Sequence, residues 1–342
     1  MFSQVFLSLA LTFATGASRI DNVVEQKGSA VIAEVGGRKI TLDELEERQA
    51  ARLLETRYKH YLAERQALDQ LIDDELLEAQ ARKEHLTVEQ LLERHVTSGL
   101  KDPTEDQLQV YYEGVETTEP FAAVKDKILA HIRQQRTGKA RSAYLQSLRD
   151  GAGIQVWLAP PKTQVDVAGS PVRGRSDAPV QIVEFADYEC PYCQRIYPEL
   201  KKLSQDFGDK VALVFKDSPL PNHARASKAA EAAQCAGEQG NFWEFHELLF
   251  DGNRKLELAQ LKQNARDLKL DTARFDRCLD SGSQALKVQK DVAQAQRLGL
   301  TGTPSFFING HFVSGAVKYS TLREIVEQQL AVSGPANKSA RR

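Results

Sequence analysis

The sequence predicts an α/β domain in its second half, preceded by a mostly α-helical region. Residues 180–185 form an apolar β-type run, and residues 196–207 carry apolar side chains at helical spacing. Residues 305–308 and 311–314 form a second strand pair around Asn309-Gly310, a dipeptide that favours a type I′ turn. In the first half, apolar residues recur at helical spacing over long segments. The length of 342 residues suits two domains.

The first domain is predicted to cover residues 28–158. Two short apolar runs flank Gly36-Gly37, which is the pattern of a β-hairpin. Residues 120–149 form a long helical pattern, and residues 154–158 are predicted to be a short strand. Three sites have the spacing of a capping box, which begins a helix by pairing its first backbone N–H groups: Thr41 with Glu44, Thr87 with Gln90, and Thr104 with Gln107.

The charge balance argues against a nucleic-acid partner. The chain has 45 Lys and Arg against 47 Asp and Glu, a formal net charge of −2. A nucleic-acid surface needs clustered Lys and Arg, whereas the two signs are mixed along this chain. The hydrophobic content of 42% is enough for ordinary cores.

The first 18 residues are predicted to be a secretory signal peptide. Residues 5–14 are apolar, and small residues follow at positions 15–18. The apolar run is too short to span a bilayer, and no Lys or Arg precedes it. We therefore expect a periplasmic or otherwise extracytoplasmic location, where disulfides persist.

Composition divides the second half into three parts. Residues 159–175 contain Pro, Gly and polar side chains and are predicted to be a linker. Residues 176–332 carry the α/β pattern, with a long helical segment inserted between residues 224 and 299. Residues 333–342 are polar and basic, and are predicted to be a disordered tail.

Cys190-Pro191-Tyr192-Cys193 lies between the apolar strand and the following helix. This places the Cys190 sulfur at a helix N-terminus, where unpaired N–H groups and the helix dipole stabilise a thiolate. A lowered pKa makes Cys190 the nucleophile of disulfide exchange, and the spacing lets Cys193 act as the resolving thiol. The Cys190–Cys193 disulfide is then the redox centre, and we expect no other cofactor.

Zinc binding and a purely structural bridge are the alternatives for this motif. A zinc site needs two more ligands, but the sequence has no second CxxC and no HxxxH, and its seven histidines show no ligand spacing. A bridge this short closes little loop entropy. We therefore expect redox chemistry and no metal.

Residues 171–332 resemble a DsbA-like thiol–disulfide oxidoreductase of the thioredoxin superfamily. The resemblance rests on APVQIVEFADYECPYCQRIYPEL, the stretch CAGEQGNFW, and LGLTGTPSFFING, in the family's order. It implies a thioredoxin fold with a helical insertion. It also implies a cis Pro304 that faces the cysteines, with Thr303, Pro191 and Tyr192 contacting an extended substrate strand.

The same resemblance implies roles for three more side chains. Glu184 would be a buried acid beneath the cysteines that acts in proton transfer, although a solvent-facing glutamate also fits the pattern. Apart from the resemblance, Lys216 is a candidate partner of Glu184 because it ends the next predicted strand. Cys235 and Cys278 lie in separate helical segments and would form a structural disulfide, with two buried reduced thiols as the alternative.

Other side chains near the motif are expected to have structural roles or to be solvated. Strongly oxidising relatives often have His where this chain has Tyr192, which leaves the direction of electron flow open. Glu189 is expected to be solvated. The aromatic residues 242, 243 and 245 are expected in the core of the insertion, and the histidines at 223 and 246 are expected to be structural or exposed.

Residues 28–158 resemble the peptide-binding N-terminal domain of SurA-like and parvulin-type periplasmic chaperones. The matching pieces are VIAEVGGRKITLDELEER, TEDQLQVYYE and the long helical stretch that ends in GIQVWLAPP. Only residues 114–120 stand where such proteins usually carry a prolyl isomerase, so that module is not expected here. The region would bind peptides, or it would space or dimerise the catalytic domains.

Together these features predict an exported thiol–disulfide oxidoreductase. Its expected partners are unfolded or cysteine-containing exported proteins and a membrane or soluble redox partner. The alternatives are a dimeric disulfide isomerase or reductase, a holdase chaperone with secondary redox activity, and a cytosolic glutaredoxin-like reductase that shares the Cys-Pro-Tyr-Cys sequence. The apolar N-terminus and the long insertion argue against the last of these.

Overall fold

The computed structural model describes residues 30–251 and 255–333. The predicted signal peptide (residues 1–18) and residues 334–342 of the predicted tail lie outside the described residues. A mostly helical N-terminal region precedes a five-stranded mixed sheet with helices on both faces. The predicted α/β class, with a helical region in front, is therefore confirmed.

The N-terminal region is built from one exposed hairpin and five helices within the described residues. The hairpin forms at Gly36-Gly37, as predicted, and both glycines have positive φ. The elements are β1 (Val31–Val35), β2 (Arg38–Thr41), α1 (Leu42–Arg48), α2 (Ala50–Glu84), α3 (Val88–Leu92), which continues into a π-helical turn (Glu93–Thr97), α4 (Glu105–Glu113) and α5 (Phe121–Ala152).

The predicted capping boxes form at two of the three sites. Thr87 and Thr104 each accept a hydrogen bond from the backbone N–H three residues on, and the Gln side chain there accepts one from the threonine N–H. Thr41 accepts from the Glu44 N–H, but the Glu44 carboxylate pairs with Arg38 and Arg48 instead of returning to the cap. The first box is therefore only half formed.

The two long helices α2 and α5 run antiparallel. Leu145 of α5 packs with Leu77 and Ala81 of α2, while Arg149, one turn later, reaches back to Asp73 at 2.7 Å. α2 has 35 residues, and its length is about 52 Å at a rise of 1.5 Å per residue. The two helices form a long, narrow scaffold with small, separate apolar clusters.

Residues 154–158 do not form the predicted strand. α5 ends at Gly153, whose φ of 61° gives a left-handed C-cap. The following segment is irregular and pairs with no described strand. A strand needs a neighbouring backbone to satisfy its hydrogen bonds, and the chain reaches the sheet only a few residues later.

The sheet has the strand order β3-β5-β4-β6-β7. The central strands β4 and β5 are parallel, and all other pairs are antiparallel. The turn between β6 and β7 has positive φ at both Asn309 and Gly310, as the predicted type I′ turn requires. The strands are β3 (Val172–Arg173), β4 (Val180–Ala186), β5 (Val211–Asp217), β6 (Ser305–Ile308) and β7 (His311–Ser314).

Helices bury both faces of the sheet. α6 (Pro191–Phe207) and α12 (Tyr319–Ser333) cover the face that carries Ile182 and Phe306. The opposite face, with Phe185 and Phe307, is covered by the last helix of the insertion and by α2. A fully buried apolar side chain of this size contributes about 1.5–3 kcal/mol to folding.

The insertion between β5 and β6 is a compact helical layer with its own apolar cluster. Phe242 and Phe245 are buried in that cluster and Trp243 packs against it, as predicted. The cluster continues to Cys190 and Cys193, so the insertion supports the cysteine pair. The helices are α7 (Ala226–Gly237), α8 (Phe242–Asp251), α9 (Leu258–Asp267), α10 (Thr272–Ser281) and α11 (Ala285–Arg297).

The predicted linker is a strap across the sheet rather than a free tether. At its start, Lys162 forms a bridge with His311 of β7, and the Thr163 N–H donates to the Gly310 carbonyl at 2.8 Å. At its end, β3 pairs with β5 on the opposite edge. Between these points Val165 and Val167 pack on the apolar face. Composition alone predicted a linker, because the hydrogen bonds that order these residues are made to strands distant in the sequence.

The first half of α2 belongs to the same apolar layer. Leu54, Tyr58 and Tyr61 are buried against the sheet face, and the Tyr58 ring meets Phe312 edge-on at 5.0 Å. The predicted first domain therefore shares a core with the α/β domain.

Candidate active site around Cys190 and Cys193

The Cys-Pro-Tyr-Cys motif lies at the start of α6, where the strand-to-helix reasoning places it. Cys190 is the N-cap residue with extended backbone, and Pro191 begins the helix, a position that tolerates proline because no N–H is needed there. Both cysteines are reduced and buried. The N–H groups of Tyr192 and Cys193 point to the Cys190 sulfur.

The two thiols are shifted in opposite directions. The pKa of Cys190 is lowered to about 5, chiefly by a hydrogen bond from the Cys193 thiol, with contributions from Thr303 and the backbone of Cys193 and Tyr192 that outweigh the opposing effect of burial. The pKa of Cys193 is raised far above its usual value, first by burial and then by its hydrogen bond to Cys190. At neutral pH Cys190 is therefore a thiolate beside a protonated Cys193.

A cis peptide bond joins Thr303 and Pro304 next to the cysteines. The Thr303 carbonyl oxygen lies 3.4 Å from the Cys190 sulfur and accepts its S–H when Cys190 is protonated, that is, below a pH of about 5. The Thr303 hydroxyl is buried and makes no other hydrogen bond among the described residues, which leaves its O–H to donate to the Cys190 thiolate. The structure thus brings together Cys190, Thr303 and Pro304 from opposite ends of the domain sequence.

Glu184 is buried on β4, on the side of the cysteines. Burial raises the pKa of its carboxyl group to about 8, so it is protonated at neutral pH. It lies close enough to Cys193 for its charge to contribute to the raised pKa of that thiol. A solvent-facing position, the alternative interpretation, does not occur.

The predicted partnership between Glu184 and Lys216 is wrong. In the parallel pairing of β4 with β5, Glu184 is opposite Phe215, and Lys216 is opposite Phe185. Successive side chains on a strand alternate between faces, so Lys216 points to the other side of the sheet. There its ammonium group pairs with Asp291 of α11 at 2.9 Å.

Asp187 orders the loops beside the motif, and sequence reasoning did not single it out. Its buried carboxylate accepts hydrogen bonds from the N–H groups of Glu189 and Leu220 and lies 2.7 Å from His223 Nδ1. The segment before Cys190 is thereby tied to the loop after β5. The signal available in the sequence was its place three residues before Cys190.

Two residues expected to be structural or solvated have defined partners. His246 is buried and lies 3.0 Å from the Tyr188 hydroxyl, and burial holds its pKa well below the usual value, so the ring is neutral. The Glu189 side chain accepts a hydrogen bond from the Arg225 N–H at 2.8 Å.

The rim of the site is formed by Tyr192, whose side chain is exposed, and by Pro191 beside it. The Arg195 guanidinium lies 4.8 Å from the centre of the Tyr192 ring, within the range of a cation–π contact. This pair presents an aromatic and cationic surface next to the nucleophile.

Cys235 of α7 and Cys278 of α10 form a disulfide with an S–S distance of 1.98 Å. It joins two helices of the insertion behind the active site. Among the described residues no group of three or more His, Cys, Asp or Glu side chains is arranged to hold a metal ion. No described helix is long and apolar enough to cross a membrane.

Comparison with known proteins finds relatives for both halves. A family model described as thioredoxin matches residues 166–328, which include the second part of the strap, and a SurA-like N-terminal domain model matches residues 1–98. The second match ends within the region that sequence reasoning extended to residue 158.

The curated relatives are much longer proteins. An Na⁺/H⁺ antiporter NhaA 1 from Salinispora arenicola is 39% identical over 168 residues, which cover 49% of this chain and 26% of the relative. An antiporter NhaA from Herminiimonas arsenicoxydans is 31% identical over 214 residues, or 63% of this chain and 32% of the relative. The chain therefore spans only about a quarter to a third of these relatives.

Solved structures resemble about half of the chain. A thioredoxin-like oxidoreductase from Silicibacter pomeroyi is 34% identical, with a TM-score of 0.44, over 47% of this chain and 92% of that one. BdbD from Bacillus subtilis is 28% identical, with a TM-score of 0.46, over 51% and 99%. The family matches and the strand order thus make this chain similar to a thioredoxin domain over residues 166–328 and to a SurA-like N-terminal domain over residues 1–98.

Proposed function

We propose that the chain is an exported thiol–disulfide oxidoreductase that acts on protein substrates, with Cys190 as the nucleophile. The observation that carries the proposal is the opposed protonation of the two thiols beside the cis proline. Cys190 is a thiolate at neutral pH, whereas Cys193 stays protonated. Such a pair separates the attacking thiol from the resolving thiol before any substrate arrives.

In the oxidising direction the centre starts as the Cys190–Cys193 disulfide. A substrate thiolate attacks the Cys190 sulfur, which forms a mixed disulfide and releases Cys193 as a thiolate that takes up a proton. A second substrate thiolate then attacks the substrate sulfur of the mixed disulfide and releases Cys190 as a thiolate. The substrate loses two electrons and two protons, and the centre gains the two electrons.

The low pKa of Cys190 favours this direction. A thiolate of low pKa is a good leaving group, and its stabilisation favours the reduced form of the centre, which makes the disulfide an oxidant. Turnover then requires a membrane or soluble redox partner that removes two electrons. Strongly oxidising relatives often have His at the position of Tyr192. The tyrosine therefore favours a less oxidising reduction potential for the cysteine pair, which makes a disulfide isomerase the second candidate function.

Glu184 is proposed to exchange a proton with Cys193 during the redox cycle. Cys193 must lose a proton to close the disulfide and regain it on reduction, but it is fully buried. Glu184 is buried close by and has a pKa near 8, so its protonated form can donate to the Cys193 thiolate released on reduction, and its carboxylate can take the proton back when the disulfide closes.

An unfolded polypeptide is the substrate class that the site supports. Cis Pro304 and the Thr303 backbone leave an edge beside Cys190 for an extended strand, and Tyr192 and Pro191 provide an exposed apolar rim. The SurA-like region is proposed to hold such chains near the site. Its docking on the sheet through Tyr58 supports a fixed rather than a tethered arrangement.

An extracytoplasmic location is part of the proposal. The Cys235–Cys278 disulfide supports it, because bridges of this kind persist in oxidising compartments. Detection of the chain in the periplasmic fraction, with its N-terminus processed near residue 18, would agree with export. Uncleaved chain in the cytosol would contradict it.

The deciding experiment combines trapping with a redox titration. The Cys193→Ala variant should accumulate a mixed disulfide with an unfolded protein that contains a disulfide, because Cys190 attacks that bond, displaces one substrate sulfur as a thiolate and has no resolving thiol to release it, whereas Cys190→Ala should form none. Equilibration of the wild-type pair with glutathione then gives the reduction potential. A value toward about −120 mV indicates an oxidase, and one toward about −270 mV indicates a reductase or isomerase. Absence of any trapped species with Cys193→Ala would refute the assignment.

A further inference from the structure

The strap and α11 enclose a cavity on the side of the domain that carries Lys216, on the sheet face opposite the cysteine-facing Glu184. Its volume is about 680 Å³, within the range of small-molecule sites. Its walls are residues 166–170 of the strap and one face of α11, and Lys216 forms part of its lining. No step of the proposed disulfide chemistry uses these side chains.

Positive charge dominates this cavity. Lys287, Lys290 and Arg297 of α11 line it at helical spacing; none of the three lies within ion-pair distance of an acid among the described residues, and Lys287 acts at longer range on the buried Asp217. The acid opposite them is Asp166, an exposed rim residue whose carboxylate accepts from the Ala168 N–H. An excess of unpaired cations in a chain of net charge −2 favours an anionic ligand.

The remaining charged pair in the cavity is already satisfied. The Asp291 carboxylate accepts from the Lys216 ammonium at 2.9 Å and from the Asp217 N–H at 3.2 Å. Both carboxylate oxygens are therefore engaged, and the pair contributes no net charge. The free cations on α11 are left to hold a ligand.

A second, smaller cavity of about 290 Å³ adjoins the first and shares Gly169, Ser170 and Lys287 with it. Gln234 lines this cavity and is 2% exposed. Its Nε2 donates to Asp217, but its Oε1 is buried with no hydrogen-bond partner among the described residues. Asp217 Oδ1, on the carboxyl group that Gln234 contacts, is likewise buried without a partner among the described residues, and buried acceptors without partners are costly.

The carboxylate of Glu238 also lines the smaller cavity, where it accepts a hydrogen bond from Gln284 and lies 3.9 Å from Arg274. Gln234 and Glu238 both line the smaller cavity, so this part of the site favours a donor that carries positive charge. The larger cavity thus presents cations, and the smaller cavity adds acceptors beside the shared Lys287.

From this polarity we infer that the paired cavities bind a small acidic amino acid or short acidic peptide. Its carboxylates contact Lys287, Lys290 and Arg297, and its ammonium group donates to Gln234. The ligand reaches neither cysteine. Binding would hold the strap against α11.

The test measures binding of the dipeptide glutamyl-glutamate to the full chain by titration calorimetry. Saturable binding is expected, weakening as salt is raised. Replacing the two exposed cations, Lys290→Gln with Arg297→Gln, should weaken binding about tenfold or more, which corresponds to about 1.4 kcal/mol. The matched control Lys210→Gln with Lys318→Gln removes two exposed lysines elsewhere and should leave affinity unchanged.

Two dipeptides that differ only at the N-terminus test the acceptors of the smaller cavity without any variant of the protein. N-acetylated glutamyl-glutamate has the same carboxylates but no ammonium group, and it should bind about tenfold more weakly. Equal binding of the two dipeptides would overturn the assignment. So would equal losses in the two double variants, tighter binding of inorganic pyrophosphate, or no saturable binding at millimolar dipeptide. Binding of long acidic polypeptides alone would place the site in another class and also overturn it.

Discussion

Arg65 of α2 donates two hydrogen bonds to the Glu324 carboxylate of α12, although the residues are 259 positions apart in sequence. The Nη2–Oε2 distance is 3.0 Å, and the same guanidinium also contacts Asp69. The pair is part-buried beside Tyr58 and Tyr61, which pack on the sheet. The helical region is therefore anchored to the thioredoxin-family domain by both charge and apolar contact.

We expect this ion pair to have a measurable coupling energy. In a double-mutant cycle of Arg65→Ala and Glu324→Ala, the coupling should be about 1–2 kcal/mol, because the pair is bidentate and part-buried. The exposed Arg323–Glu327 pair on the same helix is the matched control and should give about 0.3–0.5 kcal/mol. Chemical denaturation of each variant provides the values. Equal coupling in the two cycles would show that burial adds nothing at Arg65.

The reactivity of Cys190 should follow a thiolate pKa of about 5. The rate of alkylation by iodoacetamide should rise through a midpoint near that pH. In Cys193→Ala the midpoint should move up, because the largest contribution to the lowered pKa is the hydrogen bond from Cys193. A midpoint unchanged by this substitution would assign the shift to the helix N-terminus instead.

The same pKa predicts how stability depends on redox state. Between about pH 5 and 9 the folded reduced chain carries a thiolate, whereas the unfolded chain carries a protonated thiol. The free energy of unfolding of the reduced form should therefore rise with pH across this window relative to the oxidised form, and the gain should be lost below about pH 5. Denaturation of both forms at several pH values measures the difference.

Glu184→Gln should remove a pH dependence of the opposite sign. The folded chain keeps a proton on Glu184 up to about pH 8, whereas the unfolded carboxyl loses it near 4.5. The wild-type free energy of unfolding should therefore fall as pH rises from about 4.5 to about 8. The oxidised variant should gain stability over oxidised wild type across that window. The exposed Glu244→Gln serves as control, and a parallel pH profile for both variants would contradict burial of Glu184.

Gly310→Ala should loosen the strap. A Cβ atom at this position would lie 2.6 Å from the Thr163 carbonyl oxygen, and φ is +84°. Gly315 has nearly the same φ, +83°, but no atom within 4 Å of its Cβ position, so Gly315→Ala reports the backbone strain alone. We expect both to destabilise, Gly310→Ala by about 1–3 kcal/mol more because of the added contact. Equal losses of stability in the two variants would mean that the strap moves away from the added Cβ atom at no cost in free energy.

Local signals in the sequence predicted much of the fold and the cysteine chemistry. The Asn309-Gly310 turn, the threonine caps and the strand before Cys190 depend on neighbours within a few residues. The cis Pro304 and the position of Glu184 came from resemblance, since no local pattern determines them.

The predictions that the structure corrects concern residues whose conformation depends on pairing with segments distant in the sequence. The partner of Lys216 is decided by the register between β4 and β5, which the sequence does not encode locally. Residues 159–175 have the composition of a linker, yet they are ordered by hydrogen bonds to β7 and β5. Residues 154–158 have strand-forming side chains but no strand beside them.

The strap also changes what the sheet offers to other molecules. Residues 160–163 occupy the outer side of β7, and the opposite edge ends in β3, which has only two residues. Long unpaired edge strands are templates for aggregation. The unfolded polypeptides proposed above as substrates would expose segments that can pair with an open sheet edge. Covering both edges with its own backbone protects this domain from such pairing.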